Sequence, residues 1–282
     1  MPQKSPTIRQ KRLGAELRKL REAAGMSGEA AAEALECGQA KISRIETGAN
    51  GIRPFELRGL LSAYGVTDRD LIETLVELAK EGRRPGWWSR YAQSFPGIAD
   101  LAHLEAHAVV VQTWQTVLVP GLLQTADYMR ALFRGGRYGY DAAEAEHAVA
   151  ARTARQQVLA SADAPRLSAV VYEAVLRAEV GGPAVMRGQL RHLAALADSE
   201  RVRLRVLPFA AGAHGGFDGP FVVYGLEPAD MDVVLMDGLA GPQYLDRQAD
   251  VRRFRELFAS LSAAALDPES SAGLLRRLAS RS

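Results

Sequence analysis

Three glycines, Gly25, Gly48 and Gly65, stand where apolar residues at helical spacing stop, and they cut the start of the chain into segments too short to persist as lone helices. Ahead of Gly25, Leu13, Leu17, Leu20 and Ala24 recur with charges between them. Ser27 is a natural N-cap for a second helix over 28–35. A third spans about 39–47, with Ile42 and Ile45 pointing inward and Gly48 as its stop. Pro54 suits the first position of a fourth, which carries Leu57, Leu60, Leu61 and Tyr64. Thr67, with Asp70 three residues on, predicts the cap of a fifth carrying Leu71, Leu75 and Leu78. Such helices must pool their apolar stripes, so residues 1–80 read as an all-α domain of five short helices.

Residues 80–90, KEGRRPGWWSR, break the pattern, so 81–90 reads as a linker, with Trp87 and Trp88 expected to anchor it onto a second domain at 91–282. Helical segments follow at 98–108, 122–134 and 142–160, then an apolar run at 167–176 and a helix with Met186, Leu190, Leu193 and Ala197 on one face. VRLRVL at 202–207 alternates strictly, as a half-buried strand does. FVVYGL (221–226) and DVVLMDGL (232–239) read as a strand pair joined by a loop containing Pro228. A helix over 246–265 turns Val251, Phe254, Phe258 and Leu261 inward, and 274–279 is expected to add one loosely held turn. The second domain therefore reads as larger and α+β, with a small mixed sheet.

Net charge is only +2 over 282 residues, but residues 1–53 hold ten Lys/Arg against six Asp/Glu. A basic head on a near-neutral body suits contact with a nucleic-acid backbone. The single cysteine, Cys37, excludes an intrachain disulfide and a cysteine-based zinc finger. No long apolar run predicts a membrane span or a secretory signal, so the expected location is cytoplasmic, with no membrane partner.

The third helix carries the functional reading. A recognition helix must bury one stripe and offer its opposite face, with its N-terminal end, to the major groove. Here Ile42 and Ile45 supply the buried stripe, while Gln39, Lys41, Ser43 and Arg44 lie on other faces. Gln can bond adenine bidentately, Arg and Lys can bond guanine, and Ser reaches phosphate. Arg53 and the basic N-terminal segment are candidate phosphate contacts.

The stretch MSGEAAAEALECGQAKISRIETG (26–48) resembles the Cro/C1-type helix-turn-helix of the XRE family, through Ser27 and the run Ser43, Arg44, Ile45, Glu46, Thr47, Gly48. The resemblance implies that Gln39, Ala40 and Arg44 read bases, and that Glu46 pairs with Arg21 of the first helix. Two departures stand out. Glu36 occupies a turn position that often holds Gly, and Gly38 replaces the usual capping Ser, which implies slightly altered turn geometry.

DLAHLEAHA, LVPGLLQTADYMRAL, GGPAVMRGQLRHLAALA and RVLPFAAGAHGG resemble the C-terminal regulatory domain of unknown function (DUF5753-like) of an actinobacterial regulator family, often encoded beside a small partner protein. The resemblance implies a transcriptional regulator that binds a double-stranded DNA operator. Its second domain would sense a small-molecule effector or a partner protein, and residues 90–282 would hold the homodimer contact. The alternative is an antitoxin-like or adaptor protein whose DNA binding serves autoregulation.

Catalysis is not expected, nor is any cofactor or metal. His214 with Asp218 reads as a surface turn. Glu173, Glu179, Asp232 and Asp237 read as scattered acids, and GGPAVM as helix punctuation. His103 and His107 lack the glutamate of a zinc helix, and Cys37 reads as packing.

Overall fold

The computed structural model describes residues 8–81, 87–91, 94–95, 97–135, 139–197, 199–227, 229–239 and 241–281. Residues 82–86 of the 81–90 segment, Pro228 and the start of the basic N-terminal segment lie outside the described residues. The chain divides into two compact units, Met1–Leu101 and Ala102–Ser282.

The first unit is built from α1 (Ile8–Ala23), α2 (Gly28–Ala34), α3 (Gln39–Glu46), α4 (Pro54–Ala63) and α5 (Arg69–Glu81). Each sends one apolar stripe into a shared core, including Leu17, Ile42, Ile45, Leu57, Leu61 and Leu75. The fifth helix is capped by Asp68, whose Oδ1 accepts the N–H groups of Asp70 and Leu71 at 3.0 and 3.2 Å, and not by Thr67. A carboxylate suits the partly positive N-terminus better than a hydroxyl does, and the helix starts two residues after Thr67. Beyond α5 a single turn, Trp87–Arg90, sets Trp87 edge-on to Trp88 and to Tyr91 within this unit.

Helix α6 (Ile98–His107) leads into the second unit. Its further elements are β1 (Val110–Gln115), α7 (Ala126–Gly135), α8 (Ala142–Gln156), β2 (Arg166–Tyr172), α9 (Glu173–Arg177), α10 (Pro183–Ala197), β3 (Val202–Leu207), β4 (Phe221–Gly225), β5 (Val233–Gly238), β6 (Gly241–Leu245), α11 (Gln248–Ala264) and α12 (Pro268–Arg281). The six strands form one sheet in the order β3-β2-β1-β4-β5-β6. Strands β1, β2 and β3 run parallel, joined by helical crossovers, whereas β4, β5 and β6 are added antiparallel. The sheet is thus larger than the small one expected, because β1 at its centre and β6 at its edge were not foreseen.

Helix α11 lies on one face of the sheet, its Val251, Phe258 and Leu261 packed with Trp114, Val170 and Phe221. Trp114 is fully buried, and its indole N–H donates to the Gly216 carbonyl at 3.0 Å. On the alternate residues of the parallel strands, Val111, Leu167, Ala169, Leu204 and Val206 are buried towards the opposite face. There α10 and α12 pack on each other and on β3. The loosely held turn expected at 274–279 is part of this full helix α12, in which Ala272, Leu275, Leu278 and Ala279 are buried at helical spacing. At Val206 the outer edge of β3 is closed by the chain entering α12: the Val206 N–H donates to Ser271 Oγ at 3.0 Å, and the Val206 carbonyl accepts from the Leu266 N–H at 2.9 Å. No described helix is long and apolar enough to cross a membrane.

Candidate nucleic-acid interface

Helix α2 is capped by Ser27, whose Oγ accepts the Ala30 N–H at 3.1 Å. It ends in a Schellman turn, with Glu36 N–H bonded to the Glu33 carbonyl and Cys37 N–H to the Ala32 carbonyl. Helices α1 and α4 end in the same two-bond arrangement, with Gly25 and Gly65 at the left-handed position. In α2 that position falls to Glu36, at φ +49, so the departure read from the sequence is a strained residue in an otherwise normal turn. Gly38 then serves as the N-cap of α3 in extended conformation, with no side chain to bond the first-turn amides.

Helix α3 buries Ile42 and Ile45 at 1% and 2% exposure, while Gln39, Ala40, Ser43 and Arg44 are exposed. The exposed residues occupy its N-terminal end and one outward face, which is the geometry major-groove reading requires. Gly28, at the start of α2, lies under Gln39: a Cβ there would meet Gln39 Nε2 at 3.6 Å.

Three contacts hold the buried side of α3 in place. Arg21 grips Glu46 with two bonds, Nε to Oε1 at 2.6 Å and Nη2 to Oε2 at 3.0 Å, as the family resemblance implied. The hydrogen bond to Glu46 raises the Arg21 pKa further, so the guanidinium stays charged. At Gly14 the backbone of α1 comes so near that a Cβ would lie 2.3 Å from the Ile45 carbonyl oxygen and 2.5 Å from that of Glu46. On the side of α4, Lys41 Nζ lies 2.6 Å from Glu56 Oε1, while Glu56 Oε2 accepts the Arg53 N–H at 3.0 Å. Burial pushes the Glu56 carboxyl up, but Lys41 and the Arg53 amide outweigh it and hold it below the usual carboxylate range. Sequence reasoning missed Glu56 because its partner is fifteen residues away.

Arg18, Lys19, Arg21, Lys41, Arg58 and Lys80 each pair with a carboxylate. Among the described side chains from Arg12 to Lys80, Arg44, Arg53 and Arg69 carry no ion pair; all three are exposed, Arg44 on α3 and Arg53 at the N-cap of α4. Lys41, expected to face DNA, is neutralised by Glu56.

In the second unit Glu173, Asp232 and the histidines at 103, 107 and 214 have structural partners, and Glu179 and Asp237 lie exposed. Glu173 accepts from Arg177 at 2.6 Å and from the Phe209 N–H at 2.9 Å. Asp232 accepts from the Leu226 N–H at 2.8 Å and from Arg255. The His103 and His107 rings pack on each other, with centroids 4.1 Å apart. His214 Nδ1 accepts the Gly216 N–H at 3.1 Å.

A capped helix, a tight turn and a second helix buried on one side and open on the other define a helix-turn-helix protein. Comparison with family models agrees: a helix-turn-helix domain matches residues 12–75, and a domain of unknown function, DUF5753, matches residues 98–277. The second match covers more than half of the chain, which belongs to the DUF5753 family. The helix-turn-helix domain points to DNA binding and regulation of transcription. No curated protein and no solved structure matches the chain.

Proposed function

We propose that the chain is a sequence-specific transcription regulator in which α3 enters the major groove of an operator and the second unit controls it. The observation that carries this reading is the division of α3: Gln39, Ala40, Ser43 and Arg44 are exposed, while Ile42, Ile45 and Glu46 are fixed from behind. Gln39 and Arg44 are the base readers in this proposal, Ser43 and Arg53 bond phosphates, and Lys41 fixes the angle of α3 to α4. One recognition helix reads only a few base pairs, so the regulator acts as a symmetric homodimer on two half-sites about 34 Å apart, with its dimer contact in the second unit.

The test is selection of a preferred site from a random duplex library with the full chain, followed by titration of single-base variants at fixed salt. Gln39→Ala and Arg44→Ala should each lose about 1–3 kcal/mol at particular positions and relax the preference there. Equal weakening on every sequence would overturn their assignment as base readers.

A further inference from the structure

We propose that the open face of β1, β2 and β3 binds a small organic oxyanion that carries a hydroxyl group. The register sets two rows of side chains on the face that α11 only partly covers. Gln112, Ser168 and Arg203 stand side by side across the three strands, and Val170 pairs with Arg205 in the next row. Phe258 and Ser262 of α11 form the opposite wall of a cleft of about 390 Å³, within the range of small-ligand pockets. A second hollow of about 210 Å³ adjoins it, shares Ser168 and Arg203, and adds Arg166.

The charge of this surface is one-sided. Arg166, Arg203 and Arg205 converge on it, and among the described residues Glu200 is the single carboxylate lining it. Arg205 is fixed across the cleft by donating to the Ser262 carbonyl at 3.1 Å, and Arg166 and Arg203 have no side-chain partner among the described residues. A guanidinium offers paired donors in one plane, which fit the two oxygens of a carboxylate or a phosphate. Protection of an exposed strand edge would explain charges on β3 alone. At Val206 that edge is already bonded to Leu266 and Ser271, and Arg166 belongs to the interior strand β2.

Gln112 supplies the second half of the specificity. Its Oε1 is buried with no hydrogen-bond partner among the described residues, a costly state unless a donor arrives. A hydroxyl beside the acidic group would provide that donor, while its oxygen could accept from the Ser168 hydroxyl. The inference takes its biological meaning from the reading that the second unit controls DNA binding, but it is tested by binding alone, without DNA, so that failure of one can be told from failure of the other.

Isothermal titration calorimetry of the full chain at constant ionic strength would use glycerol 3-phosphate, inorganic phosphate and glycerol as probes. Saturable binding is expected for the first, weaker binding for the second and none for glycerol. Arg166→Gln with Arg203→Gln, both exposed positions whose substitution should leave the melting temperature unchanged, should weaken both anions by about tenfold or more. Gln112→Leu should bring glycerol 3-phosphate down towards the affinity of inorganic phosphate. Absence of saturable binding, or equal binding by the double variant, would overturn the proposal.

Discussion

Arg21 reaches both carboxylate oxygens of Glu46 while its remaining nitrogen, Nη1, donates to the Met26 carbonyl at 2.8 Å. One guanidinium thus ties the last turn of α1 to the end of α3 and to the chain entering α2. The two side chains are only 12% and 11% exposed, so neither charge has much water to fall back on. Arg21→Ala or Glu46→Ala should each destabilise the first unit by about 3 kcal/mol, by stranding the other charge. Replacing both with apolar residues should cost less than the sum of the single changes. Chemical denaturation of the four proteins provides the cycle, and strictly additive losses would show that the pair is energetically uncoupled.

Gly14 makes a complementary prediction without any charge. A methyl group at this position has no room, since two carbonyl oxygens of α3 lie within 2.5 Å of its carbon and backbone cannot swing aside as a side chain can. Gly14→Ala should therefore destabilise by about 1–3 kcal/mol, although Ala is the better helix former. It should also weaken operator binding, because α3 must shift outward. Thermal unfolding that matches the unsubstituted protein would disprove the close approach.

Glu36 points the other way. Its left-handed backbone is one that glycine adopts freely, as Gly25 and Gly65 do at the ends of α1 and α4. Glu36→Gly should stabilise the first unit by about 1 kcal/mol, raising its melting temperature by a few degrees. A lower melting temperature would mean that the Glu36 side chain contributes more than its backbone costs.

Glu105 gives the second unit a pH signature. It is 2% exposed, and Arg155 Nε lies 2.9 Å from its Oε2, off line for a hydrogen bond. Burial pushes the carboxyl up to about 7, which the charges of Arg155 and Arg152 offset only in part. The folded state therefore holds this proton more tightly than the unfolded state. Stability from this group is present below the ordinary glutamate range and falls as pH rises towards about 7, by on the order of 3 kcal/mol. Burial holds His192 and His214 below the usual imidazole value, which gives the opposite slope, so the comparison must be with Glu105→Gln. Denaturation at pH 5 and pH 8 should show the variant gaining on the parent at the higher pH, and an unchanged difference would refute the shift.

The first unit was legible because its signals are local. Glycine stops, Ser27 and the Ile42–Ile45 stripe act within one or two helical turns, and the structure forms α2 and α3 where they indicate. The Arg21–Glu46 pair was reached through resemblance, since nothing local joins residues twenty-five positions apart. The second unit was harder. Strand β1 is central, paired on both sides, and buries Thr113 and Trp114 in succession, so VVQTWQ lacks the alternation that marks a half-exposed strand. Strand β6 contains Pro242, which argues against a strand except at an edge, where β6 in fact lies. In α12, six arginine and serine residues mask an apolar stripe that its contact with α10 and β3 reveals.

The closed edge of β3 sets an order of events during synthesis. Until residues 266–271 have left the ribosome, Val206 presents an unsatisfied donor and acceptor at the rim of a parallel sheet. A nascent or truncated chain ending before Leu266 would offer that rim to any passing strand, including one from a sister polypeptide. Leu266, between α11 and α12, and Ser271, in the first turn of α12, thus act together as a late-arriving latch on Val206.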